Sequence, residues 1–316
     1  MPQPDFASPR HTEATVTFAA VAPEEGNAPV NARVYVGHFE ARTSPVADTN
    51  PATTGGNLDA VATFVPGTYE LVANAPGYGH LRFRLTLSAG QNRTVTLTMP
   101  TNYASQAKGS VVTGDGVEHA ALVDDTEATN WDRTGAQPDV RGSTVTVDLA
   151  GGVRTFDRVQ VSAMLHALPS LTGPTAQNRF TALRQFEIWA CNASATNCIA
   201  PAVGFTRVYT SPANSFPGFN PRPVSPELIL RSFAVPRTRA THVQLRVLTN
   251  QCTGNTAFQG EQDNDPLNGT DCRVGSPGAG TVAVFGDLPQ VVAPRDGEVH
   301  VAELQVFSRA GSVRVR

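Results

Sequence analysis

Residues 124–130, inside the stretch ALVDDTEATNW (121–131), gather two aspartates, a glutamate, two threonines and an asparagine ahead of Trp131. That is too polar for a core strand and reads as a loop that organises oxygens. Near the far end, HVAELQVF (300–307) carries one acid, Glu303, within an otherwise apolar alternation. A lone acid on a buried strand needs a partner. A hard cation such as calcium, which takes about six to eight oxygens from carboxylates, hydroxyls and carbonyls, would satisfy both stretches. The same residues also suit an Asx-rich turn and a solvent-facing Glu303, because aspartate and threonine are ordinary turn formers. Residue types alone leave these two readings level.

Other chemistry finds no foothold. A zinc peptidase needs H-E-x-x-H on a helix, and none of the seven histidines sits in that pattern. His300 and Glu303 come nearest, but three positions apart on one alternating strand they are expected to face opposite sides. G-x-S-x-G and the glycine-rich phosphate loops are missing, and GSPGAG (275–280) reads as a flexible loop. The chain is therefore expected to be non-catalytic; an enzyme with an unfamiliar site is the rival reading. Between Cys252 and Cys272, GEQDNDPLNGTD offers Glu261, Asp263, Asp265, Asn268 and Asp271, one residue out of an EF-hand spacing and without its distal glutamate. A solvated loop pinned by a disulfide is preferred there to a second calcium ion. Trp131 and Trp189 have the surface to stack on a sugar, yet core positions are the stronger expectation for both. His38 and His80 are expected to be surface or partly packed residues and not ligands, since neither has a second ligand at useful spacing.

Length and charge narrow the class. The chain has 316 residues, too many for one small sandwich, so two domains are expected. With 24 basic and 27 acidic residues the net charge is −3, and no basic face interleaved with aromatics exists, so nucleic acid is not an expected partner. No apolar run is long enough to span a membrane as a helix. The opening MPQPDFASPR lacks the apolar centre of a signal peptide. The four cysteines fall into two close pairs, Cys191 with Cys198 and Cys252 with Cys272. Two local disulfides are expected, with free thiols or a metal cluster as alternatives; zinc is disfavoured because neither pair has C-x-x-C spacing or an adjacent histidine. Loop closure would let these bridges contribute about 2.5 and 3.3 kcal/mol. Disulfides imply an oxidising compartment, so the chain is expected to be a piece of a secreted, extracellular protein with further domains upstream.

The elements that must position these residues are strands. ATVTFAAV, APVNARVYVG, LRFRLTL and RTVTLTM alternate between Gly, Pro and Asn punctuation. Residues 101–108 read as a short hinge. Beyond it, STVTVDL, FDRVQVSAML, LRQFEIWAC, FTRVYTS, LILRSFAVP, ATHVQLRVL and VHVAELQVF give seven more strand candidates and no long amphipathic helix. The expected class is all-β: a small β-sandwich followed by a β jelly roll.

Two resemblances refine this. The order of an entry strand at 28–37, a turn at Gly55 and Gly56, then PGTYELVANAPGY and a closing strand resembles the carboxypeptidase regulatory-like domain over 12–100. That implies a transthyretin-like sandwich with a spacer or docking role. NYAS, ALVDDTEATNW, TVTVDL and the pair ATHVQLRV with VAELQVF resemble the discoidin (coagulation-factor type C, galactose-binding-like) domain over 101–309. The second resemblance implies a structural calcium ion: Asp124 and Glu303 giving carboxylates, Thr129 a hydroxyl and carbonyl, Leu122 and Thr126 carbonyls. Asp125 stands where the family usually has glycine, a departure expected to alter the turn. His166, Asn178 and Arg179 lie in the long loop where jelly-roll lectins carry ligand contacts. QNRFTALRQFEIWAC, ATHVQLRVLTNQCTG, GEQDNDPLNGTDC and VHVAELQVFS are also similar to the region after the catalytic domain of actinobacterial fungalysin-type metallopeptidases. The implied role is an accessory fragment that binds or positions an extracellular glycan or protein substrate, its upstream catalytic domain lying outside this sequence. The rival is a purely structural or adhesive protein-interaction module.

Overall fold

The computed structural model describes residues 12–37, 44–50, 60–134, 140–165, 178–218, 223–261, 271–272, 282–285, 288–291 and 295–316. It divides into two compact units, one of residues up to Thr101 together with Gly311–Arg316, the other Asn102–Ala310.

The first unit is a two-sheet β-sandwich. Its strands are β1 (Ala14–Ala22), β2 (Ala28–Pro29), β3 (Arg33–Val36), β4 (Ala47–Asp48), β5 (Val61–Phe64), β6 (Gly67–Ala75), β7 (Gly79–Leu87) and β8 (Asn92–Thr98). In one sheet β1 lies between β8, its parallel neighbour, and β2 and β5, which share its other edge. The other sheet runs β4-β3-β6-β7, all antiparallel. Period-two alternation puts Val16, Phe18, Val34, Leu71, Leu85, Val95 and Leu97 into one buried cluster. His80 is buried, not surface-facing: its Nε2 lies 2.9 Å from Asn74 Nδ2, the residue paired with it across the β6–β7 hairpin. His38, Gly55 and Gly56 lie outside the described residues.

In the second unit the strands are β9 (Val111–Gly114), β10 (Trp131–Thr134), β11 (Thr144–Asp148), β12 (Arg154–Ser162), β13 (Leu183–Cys191), β14 (Thr206–Thr210), β15 (Arg231–Ala240), β16 (His242–Asn250), β17 (Val282–Phe285), β18 (Leu288–Val291), β19 (Glu298–Val301) and β20 (Glu303–Phe307). A five-stranded sheet, β14-β13-β16-β11-β9, and a three-stranded sheet, β15-β12-β20, are antiparallel throughout and form the jelly roll. Two pairs, β10-β19 and β17-β18, stand apart from them. Phe186 of β13 meets Phe233 of β15 edge to face at 5.1 Å, joining the two sheets. The described helices are single turns, α1 (Ser225–Leu228) and α2 (Gln251–Gly254).

Three expectations change. VHVAELQVF is two strands, because the run switches partner: Val301 pairs with Trp131 of β10, Glu303 pairs with Ser162 of β12, and the Ala302 amide between them donates to the Ser162 carbonyl. Side-chain direction therefore cannot be counted straight from His300 to Glu303. Residues 102–108 are no hinge: Asn102, Ala104 and Ser105 are buried and hydrogen-bonded into the jelly roll. The last residues form β21 (Ser312–Val315), which pairs with β8 of the first unit and packs Val313 on its core.

Candidate functional site

The 3-10 turn that leads into the oxygen-rich loop lies beside the last jelly-roll strand. Leu122 ends a 3-10 turn, His119–Leu122, that packs against β20. Asp124 follows, its Oδ2 accepting from the Thr129 hydroxyl at 2.7 Å and its Oδ1 from the Thr126 amide at 3.3 Å. Burial pushes the Asp124 pKa up to about 6 despite these two bonds. Glu303 opens β20 and is wholly buried. Register places it opposite Ser162, whose hydroxyl donates to Glu127 Oε1 at 2.6 Å.

Glu127 is the residue that sequence reasoning passed over. It is buried, and its Oε1 also accepts from the Leu230 amide at 2.7 Å. Its only sequence signal was membership of the same loop, and nothing local tells an inward acid from an outward one.

Asp125 has a different task from its neighbour. It adopts φ 63°, in the left-handed region that glycine favours. Asn102 Nδ2 donates to its Oδ1 at 2.8 Å and the Ser105 hydroxyl bonds its Oδ2. Asn102 Oδ1 in turn accepts from the Val306 amide at 2.9 Å. Asp125 thus ties the entry segment, the loop and β20 together, and these bonds offset the backbone strain of an aspartate in that region.

Trp131 is fully buried, its Nε1 donating to the Asp115 carbonyl at 2.7 Å. Trp189 is not a core residue. It is half-buried on the outward side of β13, with the Arg246 guanidinium 4.1 Å above its ring and its Nε1 donating to Glu187 at 2.8 Å. Burial raises the Glu187 pKa, but bonds from Arg207, Trp189 and Thr210 outweigh it and hold the carboxyl below its ordinary value. This polar outer face fits the alternation of β13 and β16, which sends Ile188 and Leu245 inward.

The expected ligand loop is described only at its end. His166 lies outside the described residues. Asn178 caps a 3-10 turn, Arg179–Thr181, by accepting from the Phe180 amide at 3.0 Å, and Arg179 is half-buried at the start of that turn. Behind it, the Thr181 hydroxyl lies 2.6 Å from His300 Nδ1, and His300 Nε2 lies 3.3 Å from Asp132. The order resembles a hydrolytic triad, but Thr181 is wholly buried and holds loop to strand. Burial, with Arg295 nearby, pushes the His300 pKa down to about 4, so the ring is neutral at pH 7.

Both cysteine pairs are joined, Cys191 to Cys198 and Cys252 to Cys272. Cys252 and Cys272 pack with Phe180 and Phe258 in a small core of their own. Within the acidic loop, Asp271 is buried and ion-paired with Arg295 at 3.6 Å; Asp263, Asp265 and Asn268 lie outside the described residues. Among the described residues no three acids, histidines or cysteines converge as an all-side-chain metal cluster, and no helix is long and apolar enough to cross a membrane.

No protein-family model matches the sequence, and no curated protein matches it significantly. Solved structures similar to the chain include carbohydrate-binding modules of family 32. One, from Clostridium perfringens and in complex with GalNAc-β-1,3-galactose, is 14% identical over 65% of this chain and 98% of its own, with a TM-score of 0.32. The NanJ module of C. perfringens, in complex with galactose, is 13% identical over 65% and 98%, with a TM-score of 0.32. The AlyQ module, in complex with 4,5-unsaturated mannuronic acid, is 13% identical over 63% and 95%, with a TM-score of 0.33. Likeness at this level carries nothing further about the chain.

Proposed function

We propose that this chain is a non-catalytic accessory piece of a secreted protein, binding an extracellular glycan through a jelly roll stiffened by calcium. The observations that support the reading are two acids taken out of water: desolvated Asp124 in the first loop, and wholly buried Glu303 at the start of β20, the strand against which the 3-10 turn leading into that loop packs. Carboxylates taken out of water keep their proton, accept hydrogen bonds or pair with a cation. Their donor set is all oxygen: side chains of Asp124, Thr129 and Glu303, with the carbonyls of Leu122 and Thr126, which is the chemistry of a hard cation. Calcium there would tie the loop to the strand by charge. Asp125 and Glu127 already hold the same loop by hydrogen bonds. A rigid loop end is what a binding module needs, since ordering loops at the moment of binding costs affinity. The resemblance to the accessory region of fungalysin-type peptidases gives the wider setting, in which a catalytic domain lies upstream.

The test is a glycan array probed with the whole chain in calcium and again in chelator. Expected are discrete glycan signals in calcium that weaken in chelator. An array that stays blank while the same protein binds calcium would favour the adhesive, protein-contacting alternative.

A further inference from the structure

At the other end of β20, about 15 Å along the strand from Glu303, the second unit holds a pocket of about 400 Å³. Its polar walls include Tyr103, Arg154, Asp157, Arg237, Ser308 and Arg309. Arg154 is preset. Its Nε donates to the Ala150 carbonyl at 2.7 Å, and its guanidinium carbon stands 5.1 Å from the centroid of the Tyr103 ring. Tyr103 is pinned in turn, its amide donating to the Val306 carbonyl and its carbonyl accepting from the Ala150 amide, both at 2.9 Å. Gly151, at φ 75°, leaves the space that the guanidinium fills; a β-carbon there would run into it.

Three arginines and a single acidic residue, Asp157, line this pocket in a chain whose net charge is −3. The volume lies within the roughly 300–1,000 Å³ of small-ligand sites. Such sites are mostly apolar, whereas this wall is polar and suits a hydroxylated ring. A guanidinium held at Nε and by stacking presents its remaining N–H groups as a planar fork, the match for a carboxylate.

We propose that this pocket binds a carboxylate-bearing sugar, a hexuronate unit. Arg154 takes the carboxylate, Arg237 and Arg309 supply the attracting field, and Asp157, Ser308 and the Tyr103 hydroxyl face the ring hydroxyls. The site is separate from the proposed calcium ligands, and its test does not depend on calcium.

Titrate the whole chain by calorimetry with glucuronate, galacturonate, glucose and sodium phosphate at low salt. A hexuronate should bind at least about tenfold more tightly than glucose or phosphate. Arg154→Gln should weaken it about tenfold or more. Arg237→Gln, at an exposed position, should weaken it about threefold and leave the melting temperature unchanged. Equal affinity for hexuronate and glucose, phosphate bound more tightly than hexuronate, or hexuronate binding indifferent to both substitutions would each overturn the proposal. Neutral glycans bound on the array alongside such a result would leave the proposed function standing while this site fails.

Discussion

Between the sheets of the first unit lie Val16, Phe18, Val34, Leu71, Val95 and Leu97, and its buried polar side chains among the described residues are Asp48 and His80. The second unit also buries a full apolar set, but adds Asn102, Ser105, Asp125, Glu127, Asn130, Ser162, Thr181, Asn250, Asp271, His300 and Glu303. Apolar contact is non-directional, so it fills a sandwich without fixing any particular loop. Hydrogen bonds are directional, and a satisfied buried network selects one loop geometry. In the second unit Asn102, Asp125, Glu127 and Asn250, all buried, make hydrogen bonds where loops meet strands. Asn250 is typical: its Nδ2 donates to the carbonyls of both Arg295 and Glu298, clamping the segment that leads into β19.

Substitutions should separate the two kinds of stabilisation. Phe18→Ala, in the first unit's core, is expected to cost about 4 kcal/mol by cavity formation, whereas a swap of similar volume there, Leu97→Met, should cost under about 1.5 kcal/mol. Urea unfolding followed by hydrogen exchange in β1 and β8 reads both. If Leu97→Met were as damaging as Phe18→Ala, the tolerance assigned to the first unit would be wrong.

Asp125→Ala should cost the second unit about 3 kcal/mol, because it strands Asn102 and Ser105 and leaves a β-carbon at positive φ without compensation. Asp125→Gly removes the strain but not the lost bonds, so it should fall between wild type and alanine. Exchange protection in β20 is the measurement; glycine restoring full protection would show that the bonds contribute nothing.

Acid should also act on the second unit through His300. Its folded pKa of about 4 lies below the unfolded value near 6.5. Above pH 6.5 the ring is neutral in both states. As pH falls from 6.5 towards 4, the unfolded chain takes up a proton that the folded chain refuses, and about 3 kcal/mol of stability is lost. The loss is read as the difference in melting between wild type and His300→Gln from pH 7 to 4, because the raised pKa of Asp124 favours the folded chain as pH falls below about 6 and opposes it in both proteins. A variant with an unchanged slope would move the acid sensitivity to other groups.

The cation's effect is expected to fall below those of Phe18→Ala, Asp125→Ala and acid. Binding to the folded state alone at a hundredfold excess over Kd stabilises by about 2.7 kcal/mol. Chelation should lower the second unit's melting temperature by that equivalent and leave the first unit unchanged. Glu303→Gln should mimic chelation and make further chelator nearly inert. A Glu303→Gln protein that melts like wild type in calcium and still responds to chelator would place the ion elsewhere.

Much of this molecule is legible from local pattern. Alternation of apolar and polar residues marks β1, β7, β8, β11 and β16 because a strand's two faces repeat every two residues, a rule that needs no knowledge of the partner strand. The cysteine pairs are close in sequence, so their joining was also a local inference. The loop of 121–131 announced its oxygens by composition. What composition left open was which way each acid points. Asp124 and Asp125 are adjacent and chemically identical, yet one bonds Thr129 within its loop while the other bonds Asn102 and Ser105 before it. That division depends on a left-handed residue and on partners 20 and 23 positions away. The break at Ala302, the return of β21 to the first unit and the pocket around Arg154 likewise depend on pairings between residues far apart in the chain. Local periodicity decides that a segment is a strand; only the closed sandwich decides which edge it joins and which side chains it brings together.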